Sequence, residues 1–480
     1  MAGVLKKSLF NVLLVWLTLP SFAQEMWGIA NSNYAGIMGL ELNPASFMSY
    51  PYKREVHLVS ADIMLHNDYL YLPAGKSPII SLITGNPITD EDIEDRFTTP
   101  SKNAYANVFF KVPSYAWRND LWSWNVHVSL RQQISARDMA YHFAKFLWEG
   151  SDYVPLHEID FTADPFKVAA TTVGEIGVTH SRVLYNYETN FVTAGATLNL
   201  LNGMTGIYVH NKKLDYTIIN DSTLNIRSLT ANYGHALPNK GEYSLINIIE
   251  PKGIGAALSV GMQWMRNRDP LAYKGGVLSK KPFKKYTWKA GASLVDVGFI
   301  KYKNLSETFS FDSDSNYWPG FDTTKFYGVA YTDSMLSQRL IGNPLSSKDN
   351  EKFTIYTPAA ISLQFDYSIT PYWYANATVI HPLYAITPAV RRPAQTAITL
   401  RYERKHWEIA VPLSVYEYDA IRLGVGARIG VLIIGSDNAL ALTGLTNAYG
   451  FDLFFGIKWP LEDRGNRAKA KSGKDCPNYK

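Results

Sequence analysis

The run at residues 449–461 constrains the fold more than any other stretch of the chain. Taken every second residue, one side reads Tyr449, Phe451, Leu453, Phe455, Ile457, Trp459, Leu461. The other side reads Gly450, Asp452, Phe454, Gly456, Lys458, Pro460. Side chains on a β-strand point alternately to opposite faces, so one face of this strand is wholly apolar and the other mixes glycine, charge and one phenylalanine. At about 3.3 Å per residue the run crosses the roughly 25 Å apolar band of an outer membrane, with Tyr449 and Trp459 near the two interfaces. An apolar strand face is covered either by a second sheet or by lipid. A secreted β-sandwich would need that second sheet over every strand of a 480-residue chain. A transmembrane antiparallel β-barrel closed by this strand needs only lipid.

The same alternation recurs upstream. Ile361, Leu363, Phe365 and Tyr367 alternate with Ser362, Gln364, Asp366 and Ser368; Ile398, Leu400 and Tyr402 alternate with Thr399, Arg401 and Glu403. Trp407, Ile409, Val411, Leu413 and Val415 form a further apolar face, and Ile421 to Ile429 alternates with Arg422, Gly424, Gly426 and Arg428. Less regular strands are expected near 55–65, 104–114, 122–137, 168–183, 190–200, 253–265 and 286–300. With 372–380 and 431–435 the total is about fourteen, an even number as a bacterial barrel requires. Tight turns fall at Pro371, Lys405 and Gly430 on one side, and the long segments 66–103, 138–167, 201–252 and 301–351 on the other. Short periplasmic turns and long extracellular loops are the barrel rule. Within those loops, Asp138 reads as the N-cap of a short helix ending at Gly150, with Met139, Phe143, Phe146 and Leu147 on one face, packed on the barrel rim or closing over its mouth. Asn202-Gly203 reads as a turn.

The ends are read separately. Lys6 and Lys7, an apolar run over 9–19 and the small residues around Ser21-Phe22-Ala23 predict a signal peptide over 1–23, with Gln24 as the first mature residue. The formal charge of +5, less the two signal lysines, leaves +3, which the tail 462–480 supplies with six basic and three acidic residues. The barrel, expected over 55–461, is therefore near neutral and offers no broad basic surface for nucleic acid. The tail reads as a short periplasmic extension. Cys476 is the only cysteine, so an intramolecular disulfide is excluded.

Between signal and first strand, 24–54 is rich in Gly, Asn and Ala and ends in Leu42-Asn43-Pro44-Ala45-Ser46. A short segment carrying Asn43-Pro44-Ala45 directly ahead of the first strand of an exported barrel resembles the long-chain fatty-acid transporter (FadL) superfamily. Gly28-Ile29-Ala30-Asn31-Ser32 leading to Asn43-Pro44-Ala45-Ser46 is similar to an uncharacterised family of Bacteroidota outer-membrane barrels. The resemblance implies a Gram-negative outer-membrane location, an N-terminal hatch folded into the barrel, and passive uptake of a hydrophobic or amphipathic small molecule.

No nucleophile elbow, phosphate loop or zinc-protease helix occurs, and no two of the ten histidines stand at i, i+4 on a helix. No catalytic residue, metal or cofactor is therefore proposed from the sequence, and the chain is not read as an enzyme. Gly424-Val425-Gly426 with Gly430 lies in an alternating strand, where small residues relieve crowding on the lumen side. Arg401, Glu403, Glu408, Arg422, Arg428, Asp452 and Lys458 project to that same side from neighbouring strands. They either line a polar path for an anionic headgroup or pair across strands and hold the interior together. Two functions follow: a passive transporter, or a non-conducting adaptor that anchors a secretion or surface-protein partner. The first expects a continuous route beside the hatch; the second expects a plugged lumen and an exposed apolar patch on the loops. Outer-membrane lipid and the barrel assembly machinery are the partners common to both.

Overall fold

Strand alternation carries through to the tertiary structure. The computed structural model describes residues 26–238, 250–268, 273–274, 277–278, 286–325, 327–383 and 386–461. The expected signal peptide, Cys476 and the basic tail lie outside the described residues.

Fourteen antiparallel strands form the wall. They are β1 (Arg54–Asn67), β2 (Ser101–Lys111, continued by Ser114–Arg118), β3 (Trp122–Ala140), β4 (Lys167–Tyr187) and β5 (Asn190–Asn220). Next come β6 (Gly253–Asn267), β7 (Tyr286–Tyr302), β8 (Phe353–Tyr356, continued by Ala360–Ser368), β9 (Trp373–Pro382) and β10 (Gln395–Glu403). The last are β11 (Trp407–Tyr416), β12 (Ala420–Leu423, continued by Val425–Ile429), β13 (Leu432–Ser436) and β14 (Asp452–Leu461). Each pairs with the next, and β14 closes on β1 from Arg54↔Leu461 to Met64↔Asp452. Closure of β14 on β1 pairs the wall all round except above the short β13, and a closed wall is what allows a β structure to sit in lipid.

The outward faces are apolar all round. On β14, Asp452, Phe454, Gly456 and Lys458 are buried while Leu453, Phe455, Ile457 and Trp459 face out. Outward Leu198, Leu200, Ile254, Leu363, Ile398, Ile409 and Leu413 are likewise exposed. An exposed apolar surface of this extent is covered by lipid. Near the periplasmic end the belt turns aromatic: Trp264 meets Trp288 at 4.7 Å, Trp373 meets Tyr402 at 5.0 Å and Tyr402 meets Trp407 at 5.1 Å between ring centroids. Amphipathic rings prefer the headgroup level, so this girdle marks one interface. The turns 119–121, 188–189, 369–372, 404–406 and 430–431 are short, and the connections 68–100, 141–166, 221–252, 303–352 and 383–394 all emerge at the opposite end; only β6 and β7 are joined by a longer segment, 268–285, on the short-turn side. The protein is an integral outer-membrane barrel of the Gram-negative type.

Three expectations are corrected. Asn202-Gly203 makes no turn: β5 runs straight through it, paired with β4 and β6 on both sides. Glycine is needed there because a Cβ on Gly203 would sit 2.7 Å from Ile300 and 2.8 Å from the Tyr302 ring. The chain reverses only after Asn220, where Thr223–Ala236 pairs back along β5. Asp138 caps no helix, because β3 stays paired with β2 as far as Ser101↔Ala140. Asp138 lies in β3 with φ +61°, and the helix, α2, is Tyr141–Glu149 with its C-cap at Gly150. Finally, 201–252 and 301–351 are more than polar loops. The upper half of β5, Thr223–Ala236 and Ser306–Pro319 form an extracellular sheet, edged by Asp160–Ala163.

That sheet has its own core. Phe146, Phe161, Tyr216, Ile226, Phe311, Trp318 and Leu340 are buried together, under α2 and under α3 (Val329–Ile341). Each fully buried residue of this size contributes roughly 1.5–3 kcal/mol. Phe143 and Phe146 pack on Tyr216, 5.9 Å between centroids in each case, so α2 belongs to this layer. Two short helices complete the outer side: α1 (Pro78–Thr84), and α4 (Ala439–Leu442) between β13 and β14.

Candidate functional site

The lumen is filled by the N-terminal segment. Of residues 26–50, all but Asn31, Asn33, Glu41 and Ser46 are buried, in two short 3-10 turns, Gly36–Glu41 and Ser46–Ser49. A segment too short for a core of its own is held by the inward-facing polar residues of the wall.

Asn43-Pro44-Ala45 makes the tightest seat. The Asn43 carboxamide oxygen accepts from the Ala45 amide at 3.0 Å, folding the tripeptide into a compact turn. Its Nδ2 donates to the Met262 carbonyl at 2.9 Å and to Gln364 Oε1 at 3.0 Å, and Ser181 Oγ donates to the Pro44 carbonyl at 2.7 Å. The turn lies on glycine. A Cβ on Gly195 would be 2.6 Å from the Pro44 carbonyl, one on Gly261 2.4 Å from Asn43 Oδ1, and one on Gly291 2.8 Å from Asn43 Nδ2. Gly195 and Gly261 are register partners on β5 and β6, so one glycine patch receives the turn. Gly28 and Gly426 make a second backbone contact, 3.0 Å from a Gly28 Cβ to Gly426 Cα.

The seven inward charges are all buried. Arg401 pairs with Asp366 at 2.9 Å and with Glu403 at 3.0 Å, and Lys289 reaches Asp366 at 3.2 Å. Glu403 accepts from Asn33 Nδ2 at 2.9 Å. Glu408 accepts from Ser32 Oγ at 2.8 Å and from Arg428 at 3.1 Å, and the Arg428 guanidinium lies 4.3 Å above the Tyr34 ring. Lys458 donates to the carbonyls of Tyr34 and Ala35. Asp452 accepts from the Asp437 amide at 2.6 Å. Arg422 stacks 3.8 Å over Tyr416, and neither terminal nitrogen has a hydrogen-bond partner. Thus Glu403, Glu408, Arg428 and Lys458 touch the N-terminal segment directly, and Arg401 reaches it through Glu403. Glu55, whose carboxylate accepts from the Ile37 amide at 2.8 Å, and Lys111, which ion-pairs with Glu41, join them. Sequence alternation marks Glu55 and Lys111 as wall residues but gives no sign of their partners.

A second plug descends from outside. In the β9–β10 connection Val390 and Arg392 are buried, and Arg392 meets Asp296 at 2.6 Å. Arg131 pairs with the same Asp296 at 2.8 Å and with Glu175 at 3.0 Å. The spaces left around the N-terminal segment are small. One of about 40 Å³ lies beside Asn33, Lys289, Gln364 and Asp366, and another of about 30 Å³ beside Met38, Lys111 and Arg131. Each has room for a water or two.

The wall itself has a gap. β13 is five residues long and pairs only with the lower part of β12, Val425↔Ser436 to Ile429↔Leu432, and with Leu432↔Ile457 to Gly435↔Phe454 of β14. Above it, Ala420–Leu423 pairs with β11 alone, and among the described residues no strand joins it to β14. The connection 437–448, carrying α4 against Ala420–Leu423, fills this space. Its first residue, Asp437, is fully buried, and its carboxylate accepts from the Trp27 amide at 2.9 Å. Trp27 Nε1 also donates to Gln395 Oε1 at 2.9 Å. Neither Asp437 nor Trp27 stands out in the sequence, since each acts through a partner hundreds of residues away.

A family model described as "Family of unknown function (DUF5723)" matches residues 68–437. No curated protein matches the chain. Among solved structures, the Ralstonia pickettii toluene transporter TbuX aligns over 93% of this chain and 100% of its own, at 8% identity and TM-score 0.42. The Pseudomonas putida toluene transporter TodX aligns over 91% and 94%, at 10% identity and TM-score 0.35. A Pseudomonas aeruginosa FadL homologue aligns over 92% and 99%, at 11% identity and TM-score 0.32.

Proposed function

The chain belongs to the DUF5723 family, and we propose that it is a gated, passive outer-membrane channel for a hydrophobic or amphipathic small molecule. One observation carries the reading: the segment that plugs the lumen and the connection that fills the wall gap are joined by the Trp27–Asp437 hydrogen bond. Withdrawal of residues 26–50 removes the Trp27 amide from the Asp437 carboxylate and loosens 437–448 at the same time. A lumen route and a lateral route into the outer leaflet then open together. An apolar solute leaves through the gap without crossing water, and the inward charges, freed from the segment, offer a polar path to a headgroup. Asn43, Pro44 and Ala45 are the seat of the gate in this reading.

A second reading, an adaptor for a surface or secreted partner, draws on α1. Ile80, Leu82 and Ile83 are 57%, 78% and 76% exposed, and no residue of α1 is buried. Single-channel conductance in planar bilayers separates the two, measured before and after deletion of residues 24–50. Insertion is confirmed by heat-modifiable migration on gels. Channel activity that appears or rises on deletion supports the gated channel; silence in both inserted forms refutes it and favours the adaptor.

A further inference from the structure

The extracellular layer brings together a set of side chains for which the sequence carries no motif. Thr223–Ala236 and Ser306–Pro319 pair with His235 directly opposite Glu307, so both side chains leave the sheet on one face. Helix α3 lowers Asp333 onto the same face. One ligand atom from each of the three lies within 4.8 Å of the other two. We propose that His235, Glu307 and Asp333 bind a first-row divalent metal ion of the zinc and cobalt class, through His235 Nε2 and one oxygen of each carboxylate.

The donor set fits such an ion. Imidazole with carboxylates suits borderline cations, whereas calcium and magnesium take oxygen alone. Metal–ligand bonds of about 2.0–2.2 Å put neighbouring donors roughly 3.0–3.5 Å apart. His235 Nε2 and Asp333 Oδ2 stand at 2.9 Å, so a few tenths of an ångström of spreading admits the ion. Two carboxylates against one dication leave the centre neutral. Tyr233 OH donates to the other Asp333 oxygen at 2.7 Å and fixes its orientation, as groups behind metal ligands do. A cavity of about 280 Å³ beside His235 and Glu307 supplies room for water on the remaining positions.

The surroundings of His235 hold its ring in a ligating orientation. Its ring packs among aromatics, 5.9 Å from Phe309 and 6.3 Å from Tyr233, which fixes the direction in which Nε2 points. His235 is 8% exposed, so little bulk water competes for its Nε2. The competing cation is Lys348, whose ammonium lies 2.9 Å from Glu307 and 3.3 Å from Glu351. On metal binding Lys348 gives up Glu307 and keeps Glu351.

The test is a visible-absorption titration of tag-free, detergent-solubilised, chelator-stripped protein with Co²⁺, followed by displacement with Zn²⁺. One saturating equivalent with ligand-field bands is expected. Glu307→Gln, at a half-exposed position where the fold tolerates change, weakens binding at least tenfold, and Lys348→Ala tightens it severalfold by removing the competitor. Absence of saturable binding in both the native protein and Lys348→Ala overturns the assignment. So does one equivalent that is indifferent to Glu307→Gln and to His235→Gln.

Discussion

Gly195→Ala isolates the seat of the N-terminal segment from the strength of the wall. The new methyl would lie 2.6 Å from both the carbonyl carbon and oxygen of Pro44 and 2.8 Å from the Ala45 amide nitrogen. These are backbone atoms of a closed turn, with no flexible side-chain end to swing aside. Restoring ordinary contact moves the turn outward by about 0.8 Å, the difference from a normal carbon–carbon approach of about 3.4–3.5 Å. That shift breaks the 2.7 Å bond from Ser181 to the Pro44 carbonyl and stretches the Asn43 bonds to Met262 and Gln364. One buried hydrogen bond lost and two weakened, equivalent together to about two bonds at about 1.5 kcal/mol each, amount to about 3 kcal/mol against the seated state. At 1.4 kcal/mol per factor of ten, the unseated population rises roughly 150-fold. The wall does not share the loss, because Gly195 keeps its pairing with Gly261 and alanine is the better strand residue of the two. Hydrogen exchange by mass spectrometry checks this directly. Peptides from 26–50 lose about two orders of magnitude of protection, while those from β4 to β7 keep theirs. Unchanged protection over 26–50 in an inserted Gly195→Ala barrel would refute the docking of Asn43-Pro44-Ala45 on the glycine patch.

Other consequences follow from the same contacts. Arg401→Ala leaves Asp366 and Glu403 with an uncompensated buried charge and lowers unfolding stability by about 3–5 kcal/mol; urea-induced loss of heat-modifiable migration reads it, and a loss below about 1 kcal/mol contradicts the network. Asp437→Ala removes the acceptor of the Trp27 amide and raises open-channel frequency in planar bilayers with the N-terminal segment intact; a variant as quiet as the native protein means that segment and gap are not linked. Leu82→Ser with Ile83→Ser, both more than three-quarters exposed, leaves barrel unfolding within about 0.5 kcal/mol of native; a larger fall would place α1 in the fold's stability and not on a free surface. Trp264→Ala removes a girdle ring that meets Trp288 edge-on, worth about 0.5–1.5 kcal/mol beyond its burial, and slows insertion into vesicles relative to native protein.

The sequence by itself determined the wall. Lipid on one side and a polar interior on the other impose a period of two on every strand, a demand that each strand meets with its own residues. Tyr449 to Leu461, Ile361 to Ser368 and Trp407 to Val415 therefore announce their faces without reference to any partner, and the strand count and the shared side of the segments 66–103, 138–167, 201–252 and 301–351 follow. The inward placement of Arg401, Glu403, Glu408, Arg422, Arg428, Asp452 and Lys458 is legible for the same reason, and so is the turn at Asn43-Pro44. Only the tertiary structure decided what those residues meet. Asn202-Gly203 has the composition of a turn, yet β4 and β6 hold it extended, because pairing on both sides outweighs local preference. The glycines at 195, 261 and 291 read as unremarkable strand positions until the Asn43 turn is laid on them. The gap above β13 is invisible in sequence because a missing ladder is a property of three strands at once. Arg131, Asp296 and Arg392 meet across more than 250 residues of chain, and His235, Glu307 and Asp333 across nearly 100. Alternation is a local requirement and leaves a periodic trace; register, docking and charge pairing depend on residues distant in the chain and leave none.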